Sequence, residues 1–113
     1  MTALPVKTIR DPDIDKTAQA ISANPGLLKD VYVNNPNATI EHIHFYDKAT
    51  GDVTVGTTVP KMTYGIPVSG VLNLRDLDIN FTVACTIAAT VEADAGSTDP
   101  ATGLVGTIVY RDD

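Results

Sequence analysis

The sequence has no tryptophan, only two phenylalanines and four tyrosines, so its core must be assembled from Val, Ile, Leu and Ala. It has one cysteine, Cys85, which rules out an intrachain disulfide. Cys85 lies in the apolar stretch 81–89 with no histidine beside it in sequence, so it reads as a small buried hydrophobe rather than a nucleophile. Basic residues are scarce: eight Lys and Arg stand against fourteen Asp and Glu, a formal net charge of −6. Nucleic acid binding needs clustered Lys and Arg to displace counterions, and an anionic bilayer attracts the same residues, so neither partner is expected. No run approaches the roughly twenty apolar residues needed to cross a bilayer. No apolar segment follows the N-terminal basic residues, so no secretory signal is expected.

What is present suits one small globule. The chain has 113 residues, 43% of them hydrophobic, which is enough for one core and little more. Residues 27–34, 38–46, 62–68, 71–75, 79–90 and 104–111 carry the period-two alternation of half-buried strands. In 38–46, Glu41, Ile43 and Phe45 share one face, and Ile40, His42, His44 and Tyr46 the other. Val53 and Val55 read as a short strand, and Thr17–Ser22 as strand or weak helix. Pro67 demotes the end of its segment to an edge or bulge. Asn24-Pro25-Gly26, Asn34-Asn35-Pro36-Asn37, Ser69-Gly70 and the polar segment 93–103 punctuate the strands. About seven or eight short strands at this spacing, with no amphipathic helix, predict an all-β fold: a single antiparallel β-sandwich, jelly-roll or immunoglobulin-like. The expected core is Ile43, Phe45, Leu72, Leu74, Phe81, Val83, Cys85 and Ile87.

Residues 1–15 stand apart, with Pro5, Pro12 and the acidic run Asp11-Pro12-Asp13-Ile14-Asp15. They read as an extended N-terminal arm before a β-sandwich domain over 16–113. The arm's apolar residues Leu4, Val6 and Ile9 are the candidate partner-binding residues, able to add a strand to a neighbour's open edge. The competing reading makes Leu4 to Ile9 an ordinary strand of the same sandwich.

No constellation announces catalysis, and no enzyme activity or cofactor is expected. His42 and His44 project from one strand face and form the best metal pair, but no further ligand is identifiable, so no metal site is assigned. The acidic run resembles the start of a calcium loop, yet Lys16 and Ser22 occupy the places where that loop needs Gly and Glu. Asp76, Asp78, Asp94 and Asp99 lack the aromatic cleft that paired carboxylates need for glycoside hydrolysis.

Seven blocks carry a resemblance in their order and spacing: Pro25-Gly26-Leu27-Leu28; Val31-Tyr32-Val33-Asn34-Asn35-Pro36-Asn37-Ala38; Phe45-Tyr46-Asp47-Lys48-Ala49; Val53-Thr54-Val55-Gly56-Thr57-Thr58-Val59-Pro60; Ile66-Pro67-Val68-Ser69-Gly70; Ile87-Ala88-Ala89-Thr90; and a closing strand ending in Tyr110. Over about residues 17–111 the chain resembles short β-rich virion structural proteins of tailed bacteriophages. The resemblance implies a capsid decoration (cement) protein that binds the major capsid protein, with a neck, tail or fibre component as the alternative position. It implies a homo-oligomer, a trimer by expectation from the class, in a virion assembled in the host cytoplasm. A carbohydrate-binding β-sandwich module is the competing function of another class. Its platform would have to come from Tyr32, Tyr46, Tyr64 or Tyr110.

Overall fold

The computed structural model describes residues 6–113. It contains nine strands in chain order: β1 (Val6–Ile14), β2 (Gln19–Ser22), β3 (Gly26–Asn34), β4 (Glu41–Tyr46), β5 (Met62–Ile66), β6 (Val71–Leu74), β7 (Ile79–Phe81), β8 (Cys85–Thr90) and β9 (Leu104–Asp112). All pairings are antiparallel. A five-stranded sheet runs β1-β9-β3-β6, with β7 also paired to β3, and a four-stranded sheet runs β2-β8-β4-β5. The two sheets pack into the expected antiparallel β-sandwich. β6 and β7 lie along the same side of β3, opposite Val31–Asn34 and Gly26–Leu28, and form one interrupted edge.

The core lies between the sheets. The first sheet contributes Ile14, Leu28, Val31, Val33, Phe81, Leu104, Ile108 and Tyr110; the second contributes Ile43, Phe45, Ile66, Cys85, Ile87 and Ala89. With so few aromatics, ring contacts are placed singly. Phe81 meets Tyr110 edge-on, with centroids 6.2 Å apart, and the Tyr110 hydroxyl donates to the Asn24 carbonyl at 3.0 Å. In β3 the strand period slips, since Leu28 and Val31 both point inward. A bulge between Leu28 and Asp30 supplies the extra residue that restores the phase. Gly106 leaves room at the centre of β9, where an added Cβ would stand 2.9 Å from both Ile14 Cδ1 and Val33 Cγ2.

Four sequence expectations need correction. Residues 6–14 are no detached arm, and the division at 15/16 does not hold there. β1 pairs with β9 from Val6↔Arg111 to Ile14↔Leu104, and Ile14 is buried in the core. The acidic run instead serves a bulge between Asp11 and Ile14, where the Asp11 carboxylate accepts the Asp13 N–H at 3.0 Å. Second, 79–90 is two strands in different sheets. The Asp47 carboxylate accepts N–H groups from Thr82, Val83 and Ala84 and the Thr82 hydroxyl, at 2.8–3.3 Å, and turns the chain across the sandwich. Val83 is thereby expelled from the expected core and is 53% exposed. Leu72 and Leu74 are half-buried against the core, whereas Ile43, Phe45, Phe81, Cys85 and Ile87 are fully buried in it. Third, Val53 and Val55 form no strand; a 3-10 turn at Thr50–Asp52 and further turns carry the chain to β5. Fourth, β4 begins at Glu41 rather than at 38.

Asparagines explain that late start. Asn35 Nδ2 donates to the carbonyls of Thr39, Ile66 and Pro67 at 2.9–3.1 Å, and its Oδ1 accepts the Asn37 N–H. Asn37 exchanges two hydrogen bonds with the backbone of Thr102 and donates to the buried Glu41 carboxylate at 2.8 Å. The turn therefore fastens β3, β4, β5 and the approach to β9 at one end of the sandwich.

Candidate functional site

The two outer faces of the sandwich differ. On the four-stranded sheet, residues 47–61 and 91–98 fold back over the strands. Beneath them His44, Tyr46, Thr86, Ala88 and Thr90 are buried although they point away from the core. The loops meet at glycines: Gly56 has a φ of +92°, and a Cβ there would stand 3.0 Å from the Gly96 carbonyl oxygen.

The buried polar groups under the loops are paired. Thr90 Oγ1 donates to the Glu92 carbonyl at 2.8 Å, so it must accept at 2.8 Å from His44 Nε2–H. His44 Nδ1 is then the acceptor for the Thr63 hydroxyl, also at 2.8 Å. The ring is the neutral Nε2–H tautomer. Burial holds its pKa below the ordinary histidine value, and repulsion from His42 adds to this. His42 Nδ1 bonds the Val91 carbonyl at 2.9 Å. Of the sequence-predicted pair, His42 thus attaches the covering loop and His44 ties β4 to β5 and β8; among the described residues no group of three or more His, Cys, Asp and Glu could hold a metal ion. A cleft of about 340 Å³ remains between the loops, with His44, Tyr46 and Thr63 at its floor and Val59, Pro60 and Asp94 at its rim.

Among the described residues, nothing covers the outer face of the five-stranded sheet in this way. Tyr32 is 45% exposed there. Its cross-strand neighbours are Asn73 on β6 and Thr107 on β9. Beside it, Asp30 Oδ1 accepts the Asp76 N–H at 2.9 Å, and Asp76 takes a left-handed φ of 54°. With Arg75 and Val109 these residues line a second groove of about 370 Å³. It is assembled from three strands that are distant in sequence. The one signal the sequence offered was an aromatic on the polar face of β3.

Of the candidate partner-binding residues, Ile9 pairs with Ile108 and packs against the core, so it is not free to bind elsewhere. Val6 is 54% exposed, and Leu4 lies outside the described residues. Cys85 is fully buried, and burial, with the Asp47 charge second, pushes its thiol pKa up to about 12. The four aspartates weighed for hydrolysis are dispersed. Asp78 pairs with Lys29, Asp99 accepts the Lys16 N–H at 3.0 Å, Asp94 lines the first cleft and Asp76 the second groove. No helix is long and apolar enough to cross a membrane among the described residues. No family model, curated protein or solved structure matches this chain.

Proposed function

We propose that this chain is a non-enzymatic structural component of a tailed-bacteriophage particle, a decoration protein seated on the outer capsid surface. The observation that carries the reading is the nesting of the strand pairs. With β6 and β7 counted as one interrupted strand, the first strand pairs with the last, the second with the next to last, and so on inward to the β4–β5 hairpin. Contacts of β9 and β8 with β3 and β4 then close the two sheets. That order supports the jelly-roll connectivity over the immunoglobulin one, and jelly rolls are a recurrent architecture of viral shells and of lectins. The family resemblance selects the first of these.

The exposed apolar residues fit a surface-seated module. Ile40, Val68 and Val71 are each about half exposed. The main-chain bonds Ser69 N–H to Asn37 and Asn35 N–H to Gly70 bring their segments to one end of the sandwich. This end is the proposed contact with the major capsid protein or with neighbouring copies in a homo-oligomer. The test is co-sedimentation of the purified protein with shells and, separately, with tails of the parent phage. Saturable binding to shells supports decoration, and binding to tails alone moves the protein to the neck, tail or fibre position. Binding to neither overturns the proposal.

A further inference from the structure

We infer that the bare face of the five-stranded sheet is a binding site for a neutral glycan, with Tyr32 as the stacking platform. The sequence offered four tyrosines for this role, and burial leaves one. Tyr46 and Tyr110 are buried, and Tyr64 is half-buried, edge-on to Phe45 at 6.2 Å. Tyr32 alone presents its ring to solvent from a rigid central strand. A sugar ring offers a patch of C–H groups to an aromatic face and hydroxyls around its perimeter, each both donor and acceptor. The surroundings of Tyr32 match that pattern. Asn73 and Thr107, its direct cross-strand neighbours on either side, each both donate and accept. Arg75 supplies donors only, and the carboxylate of Asp30 supplies acceptors only.

The groove wall is also fixed in place. Asp30 Oδ1 holds the Asp76 N–H, which keeps the left-handed turn at 75–76 standing beside the ring. Backbone held in this sparsely populated region by its surroundings clusters at ligand sites. The groove, about 370 Å³, falls at the low end of the roughly 300–1,000 Å³ typical of small-ligand sites. Two carboxylates against the one guanidinium of Arg75 leave the groove net negative, on a chain of net charge −6, which disfavours phosphate, sulfate and sialic acid and favours an uncharged saccharide.

This inference does not depend on where in a particle the protein sits. The experiment is a glycan array carrying neutral hexoses, N-acetylhexosamines and deoxyhexoses together with sialylated and sulfated glycans. The best array ligand is then titrated as a free oligosaccharide by heteronuclear NMR. The expected result is binding to neutral glycans, with shifts at Tyr32, Asn73 and Thr107. Tyr32→Ala should weaken it about tenfold or more, a loss typical of an aromatic anchor. Val59→Ser, on the far side of the sandwich, should leave it unchanged, and both variants should keep the parent melting temperature. An array blank for neutral glycans, binding confined to anionic ones, or affinity that survives Tyr32→Ala overturns the site. So does sedimentation showing that Tyr32→Ala disperses an oligomer, because the face would then be covered by a second copy.

Discussion

Replacing Ile14 by alanine asks whether the first strand belongs to the body. Ile14 is 1% exposed, sits opposite Leu104, and places its Cδ1 over Gly106. A buried Ile→Ala change costs about 2–5 kcal/mol, because the transfer energy of the lost carbons is joined by the cavity they leave. The site has little room to collapse, since Gly106 offers no side chain to fill the space. The upper half of that range is therefore expected. Against a total margin of about 5–15 kcal/mol, this is a large fraction. At about 4–8 °C per kcal/mol for a domain near this size, the melting temperature should fall by more than 10 °C. Val6→Ala is the internal control: the side chain is 54% exposed, and the change should stay within about 0.5 kcal/mol. Thermal melts followed by circular dichroism, with urea titrations alongside, give both values. If Ile14→Ala melts with the parent, the strand contributes nothing to the fold and β1 is an arm after all.

Three further outcomes follow from Glu41, Asp47 and Cys85. Burial raises the Glu41 pKa above its ordinary 4.5, against the hydrogen bonds of Thr39 and Asn37, so the folded state holds this proton more tightly than the unfolded. Its contribution to stability is complete below 4.5 and is lost as pH rises through the raised value. The stability difference between parent and Glu41→Gln should therefore shift in favour of the variant over that window, and a difference constant with pH refutes this. For Asp47, burial pushes the pKa up but is outweighed by its bonds to Thr82, Val83 and Ala84, so its contribution is present above 3.8 and lost as pH falls through the lowered value. Asp47→Ala should cost about 1–3 kcal/mol at pH 7, measured by urea unfolding, with the deficit shrinking in acid. The Cys85 thiol, buried and pushed to about 12, should react with a disulfide reagent only as fast as the protein opens. Rapid labelling in native buffer would place it elsewhere.

The strands that proved easiest to read are those with one face on the core. In β9, Leu104, Ile108 and Tyr110 alternate with half-exposed residues, and the pattern and the structure agree. The break at 82–84 was hidden because Thr82-Val83-Ala84-Cys85 continues the alternation of Ile79–Phe81. What bends the chain there is Asp47, 35 residues away from Thr82. β1 was hidden for the opposite reason. Its inward residues Ile9 and Ile14 are out of phase for a regular strand, and Asp11, Pro12 and Asp13 disguise the bulge that brings them into register. The covered face of β4 was equally illegible. His44 and Tyr46 alternate as a solvent face should, and only the return of residues 47–61 and 91–98 buries them. The Tyr32 groove draws on three strands, and its one local mark is the aromatic on the polar face of β3.

The contrast between the outer faces bears on assembly. Ordering a loop residue costs about 1–2 kcal/mol in backbone entropy, so two long loops held across the four-stranded sheet represent a substantial outlay. The close approach of Gly56 and Gly96 offsets it, as do the bonds that His42, Thr90 and Thr86 make to the carbonyls of Val91, Glu92 and Lys48. A sandwich with two bare faces presents two flat surfaces pointing opposite ways. Any complementarity between them would generate an open stack rather than a closed oligomer. Sealing one face removes that route. The free edges are blunted by related means: β2 is short, Pro12 lies in the β1 bulge, and Pro67 follows β5 directly. Among the described residues, the exposed large apolar side chains include Tyr32 on the uncovered sheet face and Ile40, Val68 and Val71 at one end, with Val59, Val83 and Val6 standing apart from both. Two separate surfaces on one small body would suit the proposed decoration module, one seated on the shell and the other facing outward.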